Sequence, residues 1–152
     1  MTDASITVRP PREDEFDSWA PLFRAYRTFY KLAQDEAVVE RVWGWIHDPA
    51  HETKALGAVA SDGATVGLAH YRRFARPSTD SVGIYLDDLM TDRDHRGAGV
   101  GRALLNAISE IGRLDGCSIV RWITAADNLP AQRLYDSIAT KTSWLTYDRP
   151  CQ

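Results

Sequence analysis

The sequence feature that most constrains the fold is a glycine-rich turn between an apolar extended segment and an amphipathic helix. Between Arg96 and Arg102, glycine occupies every second position, at Gly97, Gly99 and Gly101. Without Cβ atoms, successive backbone N–H groups can converge on one point, and the following helix adds its own unpaired N–H groups and the positive end of its dipole. The segment therefore predicts a site for a phosphate group.

Two common glycine-loop sites do not match this spacing. A dinucleotide-binding loop requires a third glycine or alanine three residues after the second, where this chain has Arg102. A nucleoside-triphosphate loop requires Gly-Lys followed by Ser or Thr, whereas here Gly101 is followed by Arg102 and Ala103. The pattern that fits is Arg-x-x-Gly-x-Gly, formed by Arg96, Gly99 and Gly101.

Two flanking segments complete a resemblance to a known family. Tyr85-Leu86-Asp87-Asp88-Leu89-Met90-Thr91 precedes the glycine loop, and Asn128-Leu129-Pro130-Ala131-Gln132-Arg133-Leu134-Tyr135 follows it. In this order and spacing the three segments resemble the GNAT superfamily of acyl-CoA-dependent N-acetyltransferases, closest to its diamine and histone/polyamine-type branch. The resemblance implies a mixed α/β, α+β-like GNAT fold, with about six to seven strands, about four helices, and splayed central strands that hold the acyl-CoA.

Hydrophobic periodicity and turn residues predict a single domain over residues 1–152, without repeats or linkers, and the resemblance implies that it is a GNAT acetyltransferase domain. The predicted strands are Ile6–Pro10, Lys54–Ala60, Thr65–Phe74, Val82–Met90, Ser118–Thr124 and Ser143–Tyr147. The predicted helices are Glu13–Tyr30, Asp35–Ile46, the helix from the glycine loop to Asp115-Gly116, and Asn128–Ala139. The second has the acidic start typical of a helix N-terminus, and the side chain of Asn128 is expected to cap the last. We expect Val82–Met90 to be the central strand of the sheet.

Composition and charge indicate the cellular location of the protein and the classes of partner that it can bind. The net charge is −3, so no overall positive field favours nucleic acid, and Arg72-Arg73 is interpreted as a solvated face. No run of about 18 apolar residues is present, so no membrane association is expected, and the charged N-terminal region does not resemble a signal peptide. Cys117 and Cys151 form no disulfide framework, which favours a cytoplasmic location. The histidines lack metal-ligand spacing, so we expect no metal.

The resemblance implies acetyl-CoA as co-substrate and a primary amine that attacks it directly in a ternary complex. An aliphatic ammonium, with a pKa of ~10.4, must lose a proton before it can attack, and the leaving thiolate needs a hydrogen bond or a proton. The resemblance implies that Asp87, by its place in the first segment, binds the amine and relays its proton. It also implies that Tyr135 donates to the thioester sulfur.

Further residues are assigned to binding. Asp88 and Tyr30 join Asp87 as substrate-binding candidates, although adjacent strand residues face opposite sides, so only one of the two aspartates is expected to point into a given pocket. Which of the two relays the proton stays open. The candidate cofactor-binding residues are Leu89, Met90, Thr91, Arg96, Gly97, Ala98, Gly99, Val100, Gly101, Arg102, Asn128 and Ala131.

Alternatives remain at this point. The chain could be a non-catalytic acyl-CoA-binding sensor or partner module, although such a binder needs neither Asp87 nor Tyr135. The acceptor could be a small amine, a polyamine, an amino acid or a Lys side chain of a peptide. A homodimer is expected from the resemblance alone.

Overall fold

The structure is a computed structural model that describes residues 5–152. Its elements are β1 (Thr7–Arg9), α1 (Phe16–Phe29), α2 (Glu36–His47), β2 (Lys54–Val59), β3 (Thr65–Arg76), β4 (Ser81–Thr91), α3 (Val100–Leu114), β5 (Val120–Arg121) and α4 (Leu129–Ile138). They form two compact units, one ending at Trp122 and one beginning at Ile123, which we describe separately. None of the described helices is long and apolar enough to cross a membrane.

The first unit is built on one mixed sheet with the strand order β1-β2-β3-β4-β5. Neighbours from β1 to β4 are antiparallel, and β5 lies parallel to β4. The mixed α/β class is confirmed, but the sheet of the described residues has five strands rather than six to seven. The expectation that Val82–Met90 is central is wrong, because β3 holds the middle position and β4 is next to the edge strand.

The last two predicted strands are the main departures from the sequence prediction. Ser118–Thr124 contributes only Val120–Arg121 to the sheet, and Ser143–Tyr147 is not a strand. Trp144, Leu145 and Tyr147 are 83%, 78% and 87% exposed. Aromatic residues favour strands only where a neighbouring strand accepts their backbone hydrogen bonds, and the described chain pairs none with this segment.

Helices α1 and α2 cover one face of the sheet. The side chain of Asp35 caps α2 by accepting a hydrogen bond from the N–H of Ala37 at 3.1 Å, as the acidic start of this helix predicted. The buried cluster between the helices and β3 consists of Trp19, Ala20, Leu22, Phe23, Val39 and Leu68. Because alternate strand residues share a face, His70 of β3 points to the same side as Leu68.

Helix α3 covers the opposite face, and its side chains Leu104 and Ile108 are fully buried. Gly67 on β3 allows the first turn of α3 to lie directly on the strand. A Cβ added at Gly67 would lie 2.5 Å from Cγ1 of Val100 and 3.1 Å from Cδ1 of Leu104. The missing side chain thus sets how closely the glycine loop and the start of α3 approach the sheet.

Candidate active site

Strand β4 is irregular at its two aspartates. Asp88 lies opposite His70 and Leu86 lies opposite Tyr71, so Asp87 is an extra residue in a β-bulge. The bulge interrupts the alternation of side chains, and both carboxylates line one cavity of about 300 Å³. The expectation that only one aspartate would face a given pocket is wrong, because it assumed a regular strand.

This cavity has an apolar side and a charged side. Its lining residues are Phe23, Val42, Trp45, His51, Glu52, Thr53, His70, Arg72, Asp87 and Asp88. Trp45 of α2 stacks on the ring of His51, with the ring planes 10° apart and the centroids 4.6 Å apart. No group of three or more His, Cys, Asp or Glu side chains in residues 5–152 is arranged to hold a metal ion.

His70 links the aromatic core to the cavity. The residue is only 1% exposed, with Nε2 at 3.2 Å from Nε1 of Trp19 and Nδ1 at 2.8 Å from Oδ2 of Asp88. An indole nitrogen can only donate, so Nε2 of His70 must accept and the ring proton must be on Nδ1. His70 therefore donates to Asp88 and fixes the orientation of that carboxylate.

Asp87 has a different environment. Nε of Arg72 donates to its Oδ2 at 3.1 Å, and both side chains are about one third exposed, at 33% for Arg72 and 34% for Asp87. Partial burial raises the pKa of Asp87 above its ordinary value, against the opposing effect of the Arg72 charge. The hydroxyl of Tyr26 donates to the backbone carbonyl of Asp87 at 3.4 Å. Burial and the negative charge of Asp88 raise the pKa of this phenol, so Tyr26 stays protonated at neutral pH.

The glycine loop joins β4 to α3, the place in the chain that the sequence predicts for it. Gly97 and Gly99 have φ angles of +79° and +83°, and Gly99 is the N-cap of α3. A Cβ at either position would meet nothing within 4 Å, so glycine is required there by the backbone angle and not by crowding. Before the loop, a single helical turn ends at His95, whose Nδ1 lies 2.8 Å from Oδ2 of Asp92.

The remaining cofactor candidates of the first unit surround this loop. Val100, Gly101 and Arg102 form the first turn of α3, at the positive end of the helix dipole. The ladder between β4 and β5 joins only Ile84 with Val120 and Tyr85 with Arg121. From Leu86 to Thr91, β4 therefore has a strand neighbour on the β3 side alone within the described sheet. These features fit a phosphate group at the loop and an extended acyl arm along the open edge of β4.

Three candidate residues lie on α4, in the second unit. Oδ1 of Asn128 accepts a hydrogen bond from the N–H of Ala131 at 3.4 Å, which confirms the predicted helix cap. Tyr135 follows two turns later on the same helix. The cofactor and catalytic roles of these residues stay predictions.

Tyr30, a substrate candidate at the end of α1, packs on Tyr26, with ring centroids 4.8 Å apart. It is not among the lining residues of the cavity.

The sequence did not reveal the two side chains that contact the carboxylates of Asp87 and Asp88. His70 was considered only as a metal ligand, and Arg72 was interpreted as part of a solvated face together with Arg73. The available signal was the period of two along β3, which places His70 and Arg72 on one face and Arg73 on the other. Arg73 is indeed exposed and pairs with Asp115.

The sheet topology, the open edge of β4 and the glycine loop before α3 define an acyltransferase of the mixed α/β class. The chain belongs to the acetyltransferase (GNAT) family, whose model matches residues 17–139. It is an N-acetyltransferase of this family.

Named relatives extend over nearly the whole chain. A D-amino-acid N-acetyltransferase of Saccharomyces cerevisiae is 29% identical, over 98% of this chain and 93% of the relative. A thialysine N-epsilon-acetyltransferase of Bos taurus is 23% identical, over 91% of this chain and 85% of the relative. An aminoglycoside N-acetyltransferase solved in complex with CoA has the same fold, with a TM-score of 0.78, 17% identity, and coverage of 97% of this chain and 95% of that chain.

Proposed function

We propose that the protein transfers the acetyl group of acetyl-CoA to the primary amine of a small molecule, by direct attack in a ternary complex. The observation that carries this proposal is the β4 bulge, which turns the carboxylates of Asp87 and Asp88 into one cavity. Two carboxylates beside an apolar wall suit an ammonium group on a small organic body. The names of two relatives, which specify D-amino acids and thialysine, support a small acceptor over a polypeptide.

Acetyl transfer first requires the ammonium to lose a proton. The amine nitrogen can attack the thioester carbon only through a free electron pair, and an aliphatic ammonium with a pKa of ~10.4 is nearly all protonated at neutral pH. Burial raises the pKa of Asp87, which makes its carboxylate a better proton acceptor than an ordinary aspartate. In the proposed reaction Asp87 receives the proton, directly or through a water molecule, while Asp88 adds negative charge beside the amine.

Departure of CoA requires stabilisation of a developing thiolate. The proposed donor is the hydroxyl of Tyr135 on α4, as the resemblance implies. A phenol with a pKa of ~10 is a weaker acid than a thiol with a pKa of ~8.5, so complete proton transfer would be uphill by about 2 kcal/mol. Tyr135 therefore acts mainly by donating a hydrogen bond to the sulfur while the C–S bond breaks, and the departing thiolate takes up the second proton that the nitrogen loses as the amide forms.

Acetyl-CoA would be held by the glycine loop and the open edge of β4. The N–H groups at Gly97, Gly99 and the first turn of α3 suit a pyrophosphate, and the charges of Arg96 and Arg102 flank it. The exposed backbone edge from Leu89 to Thr91 would bind the pantetheine arm. Asn128 can contribute to the same arm in addition to its cap.

Release of free thiol from acetyl-CoA tests this proposal directly. The acceptors are amino acids, polyamines, aminoglycosides and Lys peptides, each assayed with the wild-type chain and with Asp87→Asn. Thiol release that depends on a small amine and falls in the variant is the expected result. Release with Lys peptides alone would replace the small acceptor with a polypeptide, and acetyl-CoA binding without turnover of any amine would overturn the catalytic proposal.

The proposed assembly is a homodimer. Trp144, Leu145 and Tyr147 expose large apolar side chains in a segment that forms no strand with any part of residues 5–152, and a second copy would cover them. Light scattering on wild type and on Leu145→Lys tests this assembly, with Leu114→Lys as a control because Leu114 is also exposed, at 69%. A wild-type monomer, or equal dissociation of both variants, would contradict it.

A further inference from the structure

Arg72 presents an oriented guanidinium group to the cavity that contains the two aspartates. Its Nε donates to Oδ2 of Asp87 at 3.1 Å and approaches Oδ1 at 3.4 Å. The guanidinium carbon lies 4.8 Å from the ring centroid of Tyr85, the residue opposite Arg72 in β4. The ring on one side and the carboxylate at Nε together restrict the guanidinium plane.

Most of the donors of this arginine are still available. A guanidinium carries five N–H donors. Of the five in Arg72, only the Nε–H has a hydrogen-bond acceptor among residues 5–152. The outer edge, with Nη1 and Nη2, has the geometry that binds a carboxylate through two parallel hydrogen bonds. The side chain is 33% exposed and lines the cavity, so a ligand in the cavity can reach that edge.

We propose that Arg72 binds the carboxylate of the acceptor and that the acceptor is an α-amino acid. This inference rests on the proposed function, in which the same cavity holds the amine. An aspartate carboxylate can accept several hydrogen bonds, so Asp87 can bind an ammonium while it accepts from Arg72. Because Arg72 and Asp87 are in direct contact, the two groups that they bind must also be neighbours. An ammonium and a carboxylate on one carbon satisfy this condition, whereas an amine at the end of a long side chain does not.

The rest of the cavity fits the body of such an acceptor. Phe23, Val42 and Trp45 form its apolar side, where they can contact the side chain of an amino acid. A polyamine fits less well, since a second ammonium beside Arg72 would be repelled by the guanidinium charge. The acceptor class is therefore an α-amino acid with an apolar or aromatic side chain.

Three matched acceptors test the carboxylate contact: phenylalanine in both enantiomers, phenylalaninamide, and 2-phenylethylamine, which lacks the carboxylate. They are assayed with wild type, Arg72→Gln, Arg72→Lys and the control Arg73→Gln. The assay pH is high enough for the carboxylates of the cavity to be ionised in every variant. Arg72→Gln should lower kcat/KM for phenylalanine by about tenfold or more, mainly through KM, as expected for loss of charged hydrogen bonds. The loss with 2-phenylethylamine should be at least about threefold smaller than with phenylalanine, because this acceptor has no carboxylate for Arg72 to bind. Arg73→Gln should change the rate with neither acceptor, as for an exposed ion pair.

Other outcomes would overturn the inference. An equal loss with phenylalanine and 2-phenylethylamine in Arg72→Gln would reduce Arg72 to a partner of Asp87, and a wild-type preference for 2-phenylethylamine would exclude a carboxylate site. Arg72→Lys keeps the charge and serves if the Gln variant does not fold.

Calorimetric titration with phenylalanine separates this inference from the proposed function. Binding that is lost in Arg72→Gln supports the carboxylate contact even without turnover, and turnover of amines without this dependence supports the transferase function alone.

Discussion

Asp88 and His70 face each other across β4 and β3, and the N–H at Nδ1 of His70 spans the 2.8 Å to Oδ2 of Asp88. Only one proton arrangement satisfies this contact together with the indole N–H of Trp19 at Nε2. The imidazole is therefore neutral in this arrangement and acts as a fixed donor from the core to the cavity. His70 is a positioning residue, since it acts on the substrate through Asp88.

The first prediction separates this role from simple packing. Asparagine can present an N–H where Nδ1 of histidine does, and leucine cannot. We expect His70→Leu to lower kcat/KM by about tenfold, the effect of one hydrogen bond to a charged group, and His70→Asn to recover most of that loss. Circular dichroism and thermal unfolding establish that both variants fold. Equal activity of the two variants would reduce His70 to a core residue.

Nitrogen NMR of the imidazole provides a readout that does not depend on activity. In wild type, Nε2 of His70 should be unprotonated and Nδ1 protonated. In Trp19→Phe, the indole donor is absent and Nε2 becomes free to carry a proton. A wild-type spectrum with the proton on Nε2 would contradict the two assigned hydrogen bonds, from Trp19 to His70 and from His70 to Asp88.

The parts of this site that the sequence predicted are those set by neighbouring residues. The glycine-rich turn before α3 and the Asn128 cap depend on a few consecutive residues, and the sequence predicts both. The β4 bulge depends on the register with β3, which no local pattern in Tyr85–Thr91 reveals. His70 and Trp19 are 51 positions apart in the chain, so their hydrogen bond emerges only after α1 packs on the sheet.

The difference between local sequence and long-range pairing also explains the wrong strand predictions. The residues of Ser143–Tyr147 have strand propensity, but a strand also needs a neighbour, and none is provided by the described sheet. Conversely, Arg72 was interpreted by composition, as one of two adjacent arginines, although strand alternation separates it from Arg73. Propensity predicted most elements of the first unit, and pairing decided their number and order.

The second prediction concerns the glycine loop. Gly99→Val places a β-branched residue at a φ of +83° in the proposed pyrophosphate site, and it should weaken acetyl-CoA binding at least tenfold, about 1.4 kcal/mol. Gly63→Val is the matched control, because Gly63 has a φ of +88° in the turn between β2 and β3. Both variants should lose stability, and calorimetry should find weaker binding in Gly99→Val alone. Unchanged affinity in a folded Gly99 variant would remove the loop from the site.

The third prediction concerns the packing of α3 on the sheet. Gly67→Ala places a Cβ at 2.5 Å from Val100, and we expect it to lower the free energy of unfolding by about 1–3 kcal/mol, as for other overpacked cores. Gly44→Ala in α2 is the control. A Cβ at Gly44 meets nothing within 4 Å, so alanine should stabilise this helix by about 0.5–1 kcal/mol. Denaturant unfolding measures both, and equal changes would contradict the close contact of α3 with β3.

The fourth prediction concerns Tyr135. Tyr135→Phe removes only the hydroxyl, so we expect kcat to fall by roughly 10²-fold while KM for acetyl-CoA stays nearly unchanged. Tyr71→Phe is the control, since Tyr71 lies on the face of β3 opposite His70 and Arg72 and does not line the cavity. Steady-state kinetics of both variants measure the effect. A wild-type kcat in Tyr135→Phe would leave Tyr135 as a packing residue of α4.

The last prediction assigns the proton relay through its pH dependence. The pKa of Asp87 is raised by burial, and only its ionised form can accept a proton. Wild-type kcat/KM should therefore fall as the pH drops toward this pKa and the carboxylate becomes protonated. Arg72 lowers the same pKa, so Arg72→Gln should move this acid limb to higher pH.

Asp87→Asn has no such acid limb and should lose kcat/KM at neutral pH. Its deficit should shrink as the pH approaches the amine pKa of about 10, because free amine then needs no proton acceptor. If Asp87 only attracts the cation, the substitution should chiefly raise KM, with kcat little changed at saturation.

Asp88→Asn is measured in parallel, and its deficit in kcat/KM should not recover as the pH rises. A constant ratio of Asp87→Asn to wild type from about pH 6.5 to 9.5, a range chosen to approach the amine pKa, would exclude Asp87 as the base. Recovery in the Asp88 variant instead would transfer the role to the carboxylate that His70 holds.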